Sequence, residues 1–217
     1  MKRYLFLILA VILAVGMVGG VFAYFTDVEK STGNVFTAGT LDLKVSDEDE
    51  YPPQDGVHTT WSMTNMVPGE SETGPSDVTL INTGTIAGNH VEISFSHEIN
   101  DLPDVESDTN KSSTPGEMAR WIEITAMTYY TVTFVGLHPT AGHALVDANH
   151  NGFFDLEDVT LPENAPVLDN LSAPPPGGMG KRDFTMQLFF NGGATNDIQG
   201  DTLTTTVTFT LNQSATQ

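Results

Sequence analysis

The sequence contains no cysteine among its 217 residues, which excludes disulfide bonds and thiolate metal sites. Basic residues are also scarce: eight lysines and arginines stand against 28 aspartates and glutamates, a formal net charge of −20 at pH 7. Such an acidic surface repels nucleic acid and attracts cations. The chain has no nucleophile elbow, phosphate loop or dinucleotide fingerprint, so no residue is a catalytic candidate on such a motif.

One long apolar run lies near the N-terminus. Residues 4–21 carry no charge, follow Lys2 and Arg3, and are followed by the small residue Ala23. This pattern predicts a secretory signal peptide over residues 1–23, removed by signal peptidase. A retained membrane anchor is the alternative, because the run is about long enough to cross a bilayer. Cleavage would leave six basic residues against 28 acidic ones, a net charge of −22, on a chain long enough for one domain.

The rest of the chain is typical of an all-β protein. Threonine, valine, isoleucine and phenylalanine are frequent, and glycine, proline, asparagine and aspartate interrupt them. Alternation or composition predicts strands at 41–45, 58–63, 78–80, 91–95, 128–135, 184–190 and 203–211. Residues 117–125 are expected either to begin with a short helix or to run directly into a strand. Residues 100–116 and 173–178 are expected to be surface segments. About eight to ten strands with turns between them favour a β-sandwich or jelly roll.

The strongest local motif is an Asx-rich loop at residues 147–158. Set against a twelve-residue calcium loop, Asp147, Asn149 and Asn151 fall at positions 1, 3 and 5, and Gly152 falls at the turn. The remaining positions would be the Phe153 carbonyl at 7, Asp155 at 9 and Asp158 at 12. Aspartate replaces the glutamate of an EF-hand, and prolines at 139 and 162 argue against flanking helices. We expect a single structural calcium site between strands; the alternative is an acidic turn that binds nothing.

Two weaker patterns concern metal and glycan. His97-Glu98 begins like the zinc-protease motif H-E-x-x-H, but Asp101 stands where the second histidine belongs. His138, His143 and His150 lack a tight metal-binding spacing, and we interpret them as surface residues. Three N-x-S/T acceptors for N-linked glycan occur, at Asn110, Asn170 and Asn212.

Both ends of the exported chain resemble one family. Tyr24-Phe25-Thr26-Asp27, the stretch NVFTAGTLDLKV at 34–45, and NDIQGD at 196–201 before an alternating strand are similar to the secreted TasA and camelysin proteins and the related archaeal bundling pilins. The resemblance implies a jelly-roll β-sandwich with an N-terminal donor strand. It also implies that copies polymerise head to tail, each lending its first strand to its neighbour.

The predicted organisation is therefore a signal peptide at 1–23, a donor strand at 24–38 and a jelly-roll domain at 39–217 that contains the loop 147–158. The donor's apolar anchors are Tyr24, Phe25, Val28, Val35 and Phe36. The inner faces of strands 91–95, 184–190 and 203–211 are the expected places for the acceptor groove.

The implied function is that of a structural, non-enzymatic subunit of an extracellular cell-surface filament, a pilus or biofilm matrix fibre. It would serve adhesion or cell–cell bundling, with lateral association of filaments. The alternative is a monomeric, calcium-stabilised surface binding module. A third possibility is a camelysin-like metallopeptidase.

Overall fold

Two antiparallel sheets carry the described part of the chain. The structure is a computed structural model that describes residues 38–46, 53–55, 67–71, 76–100, 118–195, 198 and 200–215. The chain divides into two units, Met1–Ala38 and Gly39–Gln217, and the described residues apart from Ala38 belong to the second. The predicted signal peptide, the donor strand apart from Ala38, the predicted strand at 58–63, and residues 101–116 with Asp101 and Asn110 lie outside the described residues.

The described strands are β1 (Leu43–Ser46), β2 (Ser76–Asn82), β3 (His90–Asn100), β4 (Ile122–Tyr129), β5 (Val132–Val135), β6 (Leu171–Ser172), β7 (Lys181–Phe190) and β8 (Thr202–Asn212). One sheet has the order β1-β2-β7-β4-β5 and the other β6-β3-β8. Short 3₁₀ turns occupy Ala119–Trp121, Asp158–Thr160, Ala165–Val167 and Pro176–Gly178. This all-β sandwich confirms the predicted fold class, while its jelly-roll connectivity stays a prediction.

The longest pairing among the described strands joins β3 to β8. All 11 residues of β3, from His90 to Asn100, pair in register with β8, from Asn212 back to Thr202. Alternation in both strands directs one row of apolar side chains towards the other sheet and a row of threonine, serine and glutamate side chains outwards. The pattern of the sequence was sufficient to predict both strands because their side-chain period is two.

The core lies between the central strands of the two sheets. Phe184 on β7 is fully buried; its ring centroid lies 5.3 Å from that of Phe209 on β8 and 6.4 Å from that of Phe95 on β3. The residues that are at most 2% exposed around it include Leu80, Ile93, Ile124, Met127, Tyr129 and Met186. Aromatic pairs at these separations and tilts contribute beyond the area they bury.

The predicted strand 128–135 is wrong in one respect: the structure divides it into β4 and β5. The chain turns at Tyr130 and Thr131, and Tyr130 adopts a φ of 53°. Glycine or asparagine usually occupies such a left-handed position, and a tyrosine there is uncommon. The turn therefore has no signal in the sequence. The Tyr130 ring lies under the guanidinium of Arg182, with 4.0 Å between Cζ and the ring centroid. This cation–π contact stabilises the exposed ring at the turn.

The open choice at 117–125 is settled within the described residues. A 3₁₀ turn at Ala119–Trp121 leads directly into β4, so both elements are present in succession. The connector at 173–178 ends in another 3₁₀ turn, and the Gly177 N–H donates to the Gly84 carbonyl at 2.8 Å. The connector is therefore attached to the loop that follows β2.

We predict that Phe184→Ala destabilises the protein by about 3–5 kcal/mol, because it opens a cavity at the contact between the sheets. Urea unfolding of the two proteins would measure the difference. Gln187→Ala on the exposed face of the same strand is the matched control and should change stability by no more than about 0.5 kcal/mol. Equal losses in both variants would contradict the central role of Phe184.

Candidate functional site

A groove separates the edge strands β1 and β8. Each is the terminal strand of its own sheet, and residues of both line a cavity of about 410 Å³. The apolar lining residues are Leu41, Leu43, Val45, Val207, Phe209 and Leu211. All six are half-buried, whereas the apolar residues at the centre of the sandwich are almost fully buried. The sandwich therefore has apolar side chains on this side that neither sheet covers completely.

Polar contacts hold the outer wall of this groove. The Val45 N–H donates to the Gln54 carbonyl and the Gln54 N–H donates to the Val45 carbonyl, both at 2.8 Å. The Lys44 ammonium pairs with Asp55 and, at 3.3 Å, with Asp42. The hydroxyl of Thr83, followed by Lys44, holds the pKa of Asp42 below its usual range. The edge of β1 is thus partly paired and carries charges.

The opposite side of the sandwich is closed by the long connection between β5 and β6. Ile124 N–H donates to the Phe154 carbonyl at 2.6 Å, and Leu156 N–H donates to the Ile122 carbonyl at 3.0 Å. Residues 154–156 therefore pair with β4 beyond the end of β5. The apolar residues that this connection adds to the core are Leu145, Leu156, Val159 and Leu168. Among the described residues the two sides of the sandwich thus differ: the connection between β5 and β6 closes one, and a groove runs along the other.

His97 links this closing segment to the other sheet. Its Nε2–H donates to the Leu156 carbonyl, and its Nδ1 accepts from the Thr205 hydroxyl at 3.0 Å. Burial lowers the pKa of His97 below its ordinary value of 6.5, which keeps the ring neutral at pH 7. Glu98 lies on the exposed face of the same strand. His97 and Glu98 therefore point to opposite faces of β3, which is the strand geometry expected from the sequence.

The Asx-rich loop 147–158 folds tightly around its own side chains. Asp147 accepts hydrogen bonds from the N–H groups of Asn151 at 3.1 Å and Gly152 at 2.9 Å. Asn149 Oδ1 accepts from Asn151 N–H at 3.1 Å, and Asn151 Oδ1 accepts from Phe153 N–H at 3.0 Å. Gly152 adopts a φ of 95°, which is the conformation that this turn requires. The structure therefore brings together the residues that the sequence placed at positions 1, 3, 5, 6 and 7.

Two carboxylates are buried at the base of the loop. Asp155 and Asp158 are both 0% exposed. Burial raises the pKa of Asp155 to about 6 and also raises the pKa of Asp158. The side-chain amides of Asn149 and Asn151 donate to Asp155 Oδ2 at 3.1 and 2.7 Å. Two amide nitrogens thus lie beside the buried oxygen atom.

Asp158 and Asn164 hold the base of the loop through hydrogen bonds. Asp158 accepts from the N–H groups of Ala148, Asn149 and Asp155 at 2.9 to 3.1 Å. The fully buried Asn164 donates to the Asp158 carbonyl at 3.0 Å and bonds both backbone groups of Val146 at 2.8 Å. Asn164 was not singled out in the sequence because it lies beyond the twelve-residue pattern. Its role is visible only in the structure, from its burial and its hydrogen bonds.

The three histidines considered as a metal group have separate surroundings. His138 is exposed, while His143 contacts the Phe134 ring edge-on and bonds the Val167 carbonyl at 3.2 Å. His150 bonds the Ala148 carbonyl at 2.9 Å within the Asx-rich loop. Within the described ranges, no group of three or more His, Cys, Asp or Glu side chains is arranged to hold a metal ion. The donors of the Asx-rich loop differ from such a group because asparagine and carbonyl oxygens belong to the set.

The glycosylation candidates differ in accessibility. Asn170 is exposed at a turn, with a φ of 56°, and its amide bonds only the neighbouring Asp169 carboxylate among the bonds described for it. Asn212 is 3% exposed, and its Nδ2 lies 3.0 Å from Nε2 of His90. Glycan attachment needs an accessible amide, so Asn170 fits this requirement and the buried Asn212 does not.

Of the three strands named as places for the acceptor groove, one lines this cavity. Residues 207–211 of β8 line the cavity, but the inner faces of 91–95 and 184–190 lie against the opposite sheet. The second wall is 41–45. Alternation predicted a strand here but did not identify it as a wall of a groove. Its three apolar residues alternate as in any strand, so the sequence did not reveal which of them lacked a covering partner.

The fold and groove together define a class: an all-β sandwich whose described residues form two antiparallel sheets with a groove between two edge strands. The chain belongs to the camelysin family, since the family profile described as "Camelysin metallo-endopeptidase" matches residues 2–125, more than half of the sequence. Proteins of this family are secreted or surface proteins. A search of curated proteins found no match. Across the described residues, the structure contains no helix long and apolar enough to span a bilayer.

We predict that His97→Gln removes one source of acid sensitivity. Because the folded state lowers the pKa of His97, its contribution to stability is present above pH 6.5 and is lost as pH falls through the lower folded pKa. Glutamine can still donate to the Leu156 carbonyl but cannot titrate. The stability of the parent relative to the variant should therefore decrease as pH falls from 7.5 to 5. Urea titrations at each pH would measure it.

The exposed His138→Gln variant is the control, and its stability relative to the parent should change little over this range. The comparison of two proteins at each pH cancels the titration of the carboxyl groups that both retain. A relative stability for His97→Gln that is constant with pH would contradict the neutral, buried state of this ring.

Proposed function

We propose that this protein is a structural subunit of an extracellular filament, in which residues 24–38 of one copy fill the open groove of the next. The observation that carries the proposal is the groove itself, with its six half-buried apolar residues between two sheet edges. An added strand is a known way to cover such an edge, with main-chain hydrogen bonds for affinity and side-chain pockets for specificity. TasA-like members of the family are generally structural, which agrees with this function.

The proposed donor has the composition that the groove requires. Its five apolar anchors are Tyr24, Phe25, Val28, Val35 and Phe36. Full burial of a large apolar side chain contributes about 1.5–3 kcal/mol, so five would give on the order of 10 kcal/mol before the cost of ordering the peptide. That gross value is large enough for stable assembly even after several kcal/mol are lost to ordering.

Head-to-tail donation explains why the product would be a fibre. The donor and the groove are different surfaces, so each contact is heterologous and leaves one donor and one groove free at the ends. Such a series extends without limit unless it closes into a ring.

The acidic surface would keep filaments apart at low ionic strength, and cations would permit lateral bundling. We assign the filament to adhesion, cell–cell bundling or a biofilm matrix, after export and removal of residues 1–23 by signal peptidase.

We also propose calcium as a structural cofactor of the loop 147–158. The oxygen donors would be Asp147, Asn149, Asn151, the Phe153 carbonyl, Asp155 and Asp158, at the spacing of a twelve-residue calcium loop. At neutral pH the buried Asp155 is charged despite its raised pKa, which costs stability that a cation would restore. Rotation of the Asn149 and Asn151 amides would turn oxygen atoms towards the ion in place of nitrogen atoms.

Two other functions receive less support. A monomeric surface binding module would fit the calcium loop, but it gives no role to the open groove. The family description names a metallo-endopeptidase. In this chain His97 is engaged by Leu156 and Thr205, and Glu98 faces the other way, so they do not form the pair of a zinc peptidase. We therefore do not include peptide hydrolysis in the proposal.

We predict that purified Tyr24–Gln217 forms filaments visible by electron microscopy, and that a chain starting at Gly39 does not. The shorter chain retains both sheets but lacks the donor. A matched control keeps the full length and replaces Val35 and Phe36 with aspartate, which leaves the peptide but removes two anchors. It should also fail to polymerise. Circular dichroism and urea unfolding would establish that each chain is folded.

Discrete particles for Tyr24–Gln217, in calcium and in chelator, would overturn the filament and favour the binding module. Filaments from the chain starting at Gly39 would show that polymerisation does not depend on the donor.

We predict that calcium raises the unfolding temperature of the protein relative to chelator. A ligand bound only by the folded state stabilises it by about 2.7 kcal/mol at 100 times its dissociation constant. Asp147→Asn should reduce this gain, because it keeps one of the two acceptor oxygens but removes the charge and the other acceptor. Glu98→Gln, on the exposed face of β3, controls for the loss of one negative charge and should keep the gain. Absence of both a thermal shift and a heat of binding in the parent would contradict the site.

A further inference from the structure

We infer that the donor of a second copy of this chain pairs its main chain with β8, so that it becomes the fourth strand of the sheet β6-β3-β8. In this arrangement β1 contributes only the facing side-chain wall of the groove. The inference rests on the proposed function, since it specifies which of two sheet edges receives the donor. The occupant of the groove is residues 24–38 of a neighbouring copy.

The free edge of β8 is long. Its whole length pairs with β3 on one side, and among the described residues the main chain of 203–211 has no hydrogen bond to any other element. An eleven-residue strand spans about 37 Å. Fifteen residues in extended conformation span about 50 Å, so the segment 24–38 is long enough to follow this edge and still connect to its own domain.

The edge of β1 offers much less. This strand has four residues, and both main-chain groups of Val45 are occupied by Gln54. Its pairing with β2 uses the alternate residues, so Leu43 is the one position in the strand whose main chain faces outwards without a described partner. A single free residue cannot support a ladder of several hydrogen bonds. The charged Lys44 and Asp42 further protect this edge.

The sequence of β8 lacks the features that protect natural edges. Exposed edge strands commonly carry lysine, proline or other charged residues that prevent pairing with foreign strands. The stretch from Thr202 to Leu211, TLTTTVTFTL, has no charge and no proline, and it consists of residues that favour strands. An edge with this composition would aggregate if it stayed open in the assembled state. The composition therefore indicates an edge that is covered in use.

The faces of β8 match the position of an added strand. Its outer threonines are exposed, whereas Val207, Phe209 and Leu211 face the groove and are half-buried. A strand paired with β8 continues the same sheet, so its alternate side chains project into the groove towards Leu43 and Val45. Apolar anchors of the donor would then cover the residues that the two sheets leave half-exposed.

The first residues of the second unit are fixed against the loop that follows β2. The Thr40 carbonyl accepts from the N–H groups of Thr85 at 2.8 Å and Ile86 at 3.1 Å. A side chain on Gly39 would overlap Ile86, so the backbone approaches this loop closely. Leu41, which follows at once, lines the groove beside Leu211. Residues 39–41, the first of the second unit, are therefore held against the loop after β2, with Leu41 at the groove.

The absence of cysteine allows a direct test by cross-linking. One cysteine is placed in turn at each position from 29 to 32 of the donor, between the apolar anchors. It is combined with a second cysteine at Thr206, Thr208 or Thr210 on β8, or at Lys44 on β1 as the competing edge. Cross-strand positions on one face bring Cβ atoms to about 4.5–5.5 Å, close to the separation that a disulfide needs. Filaments are oxidised and run on denaturing gels with and without reductant.

We expect reducible ladders of dimers, trimers and longer products for at least one β8 combination and none for the β1 combinations. Ladders from Lys44 and none from β8 would overturn the inference. Filaments that form normally but cross-link at neither edge would also overturn it, because the donor must then enter elsewhere. If the parent chain forms no filament, the proposed function itself fails, and electron microscopy of that chain distinguishes this outcome.

A second measurement needs no substitution on the edge. Hydrogen exchange of filaments is compared with that of the chain starting at Gly39. Alternate amides between 203 and 211 bond to β3 in both samples, and the intervening amides should gain protection only in filaments. The Val45 amide, already bonded to Gln54, should change little. Gains confined to β1, or no gain along β8, would contradict pairing with β8.

Discussion

A two-layer sandwich must cover the sides between its sheets as well as the core, and this requirement organises the molecule. The inner faces of β3 and β7 protect each other, with Phe184 packed between Phe95 and Phe209. On one side the connection between β5 and β6 adds four apolar residues and pairs with β4, so this side is sealed. On the other side β1 and β8 face each other across a gap. The positions of the groove and of the Asx-rich loop both follow from this difference.

The sealed side needs polar side chains as hydrogen-bond partners, because the connection between β5 and β6 has little regular secondary structure. A segment without regular strands must satisfy its buried N–H and carbonyl groups in other ways. Here Asp155, Asp158 and Asn164 provide these partners, and His97 joins the segment to the opposite sheet. The same carboxylates that organise the loop carry charge in a buried place. A cation would offset that charge, which is why the structural and the calcium interpretations of this loop support each other.

Regular alternation made β3, β7 and β8 predictable from the sequence, because each of these strands has one apolar and one polar face. The turn at Tyr130 was missed, since a tyrosine with positive φ gives no compositional signal. The loop 147–158 was predictable because its residue types have a fixed spacing. The partnership between β1 and β8 was not, because it joins residues more than 160 positions apart as the two walls of one groove. Local sequence patterns predict strands, but whether two strands form the walls of a groove depends on the whole topology.

The absence of cysteine gives these features a common physical meaning. An exported domain without disulfides must obtain its stability from packing, bound ions or contacts between copies. Packing stabilises the centre, and the proposed calcium would stabilise the loop on the sealed side. Contacts between copies remain for the open side, where apolar residues are half-exposed and the edge of β8 is unprotected. If the donor pairs with β8, assembly completes the fold of each subunit, so the stability of the subunit and the stability of the filament are the same interaction measured in two ways.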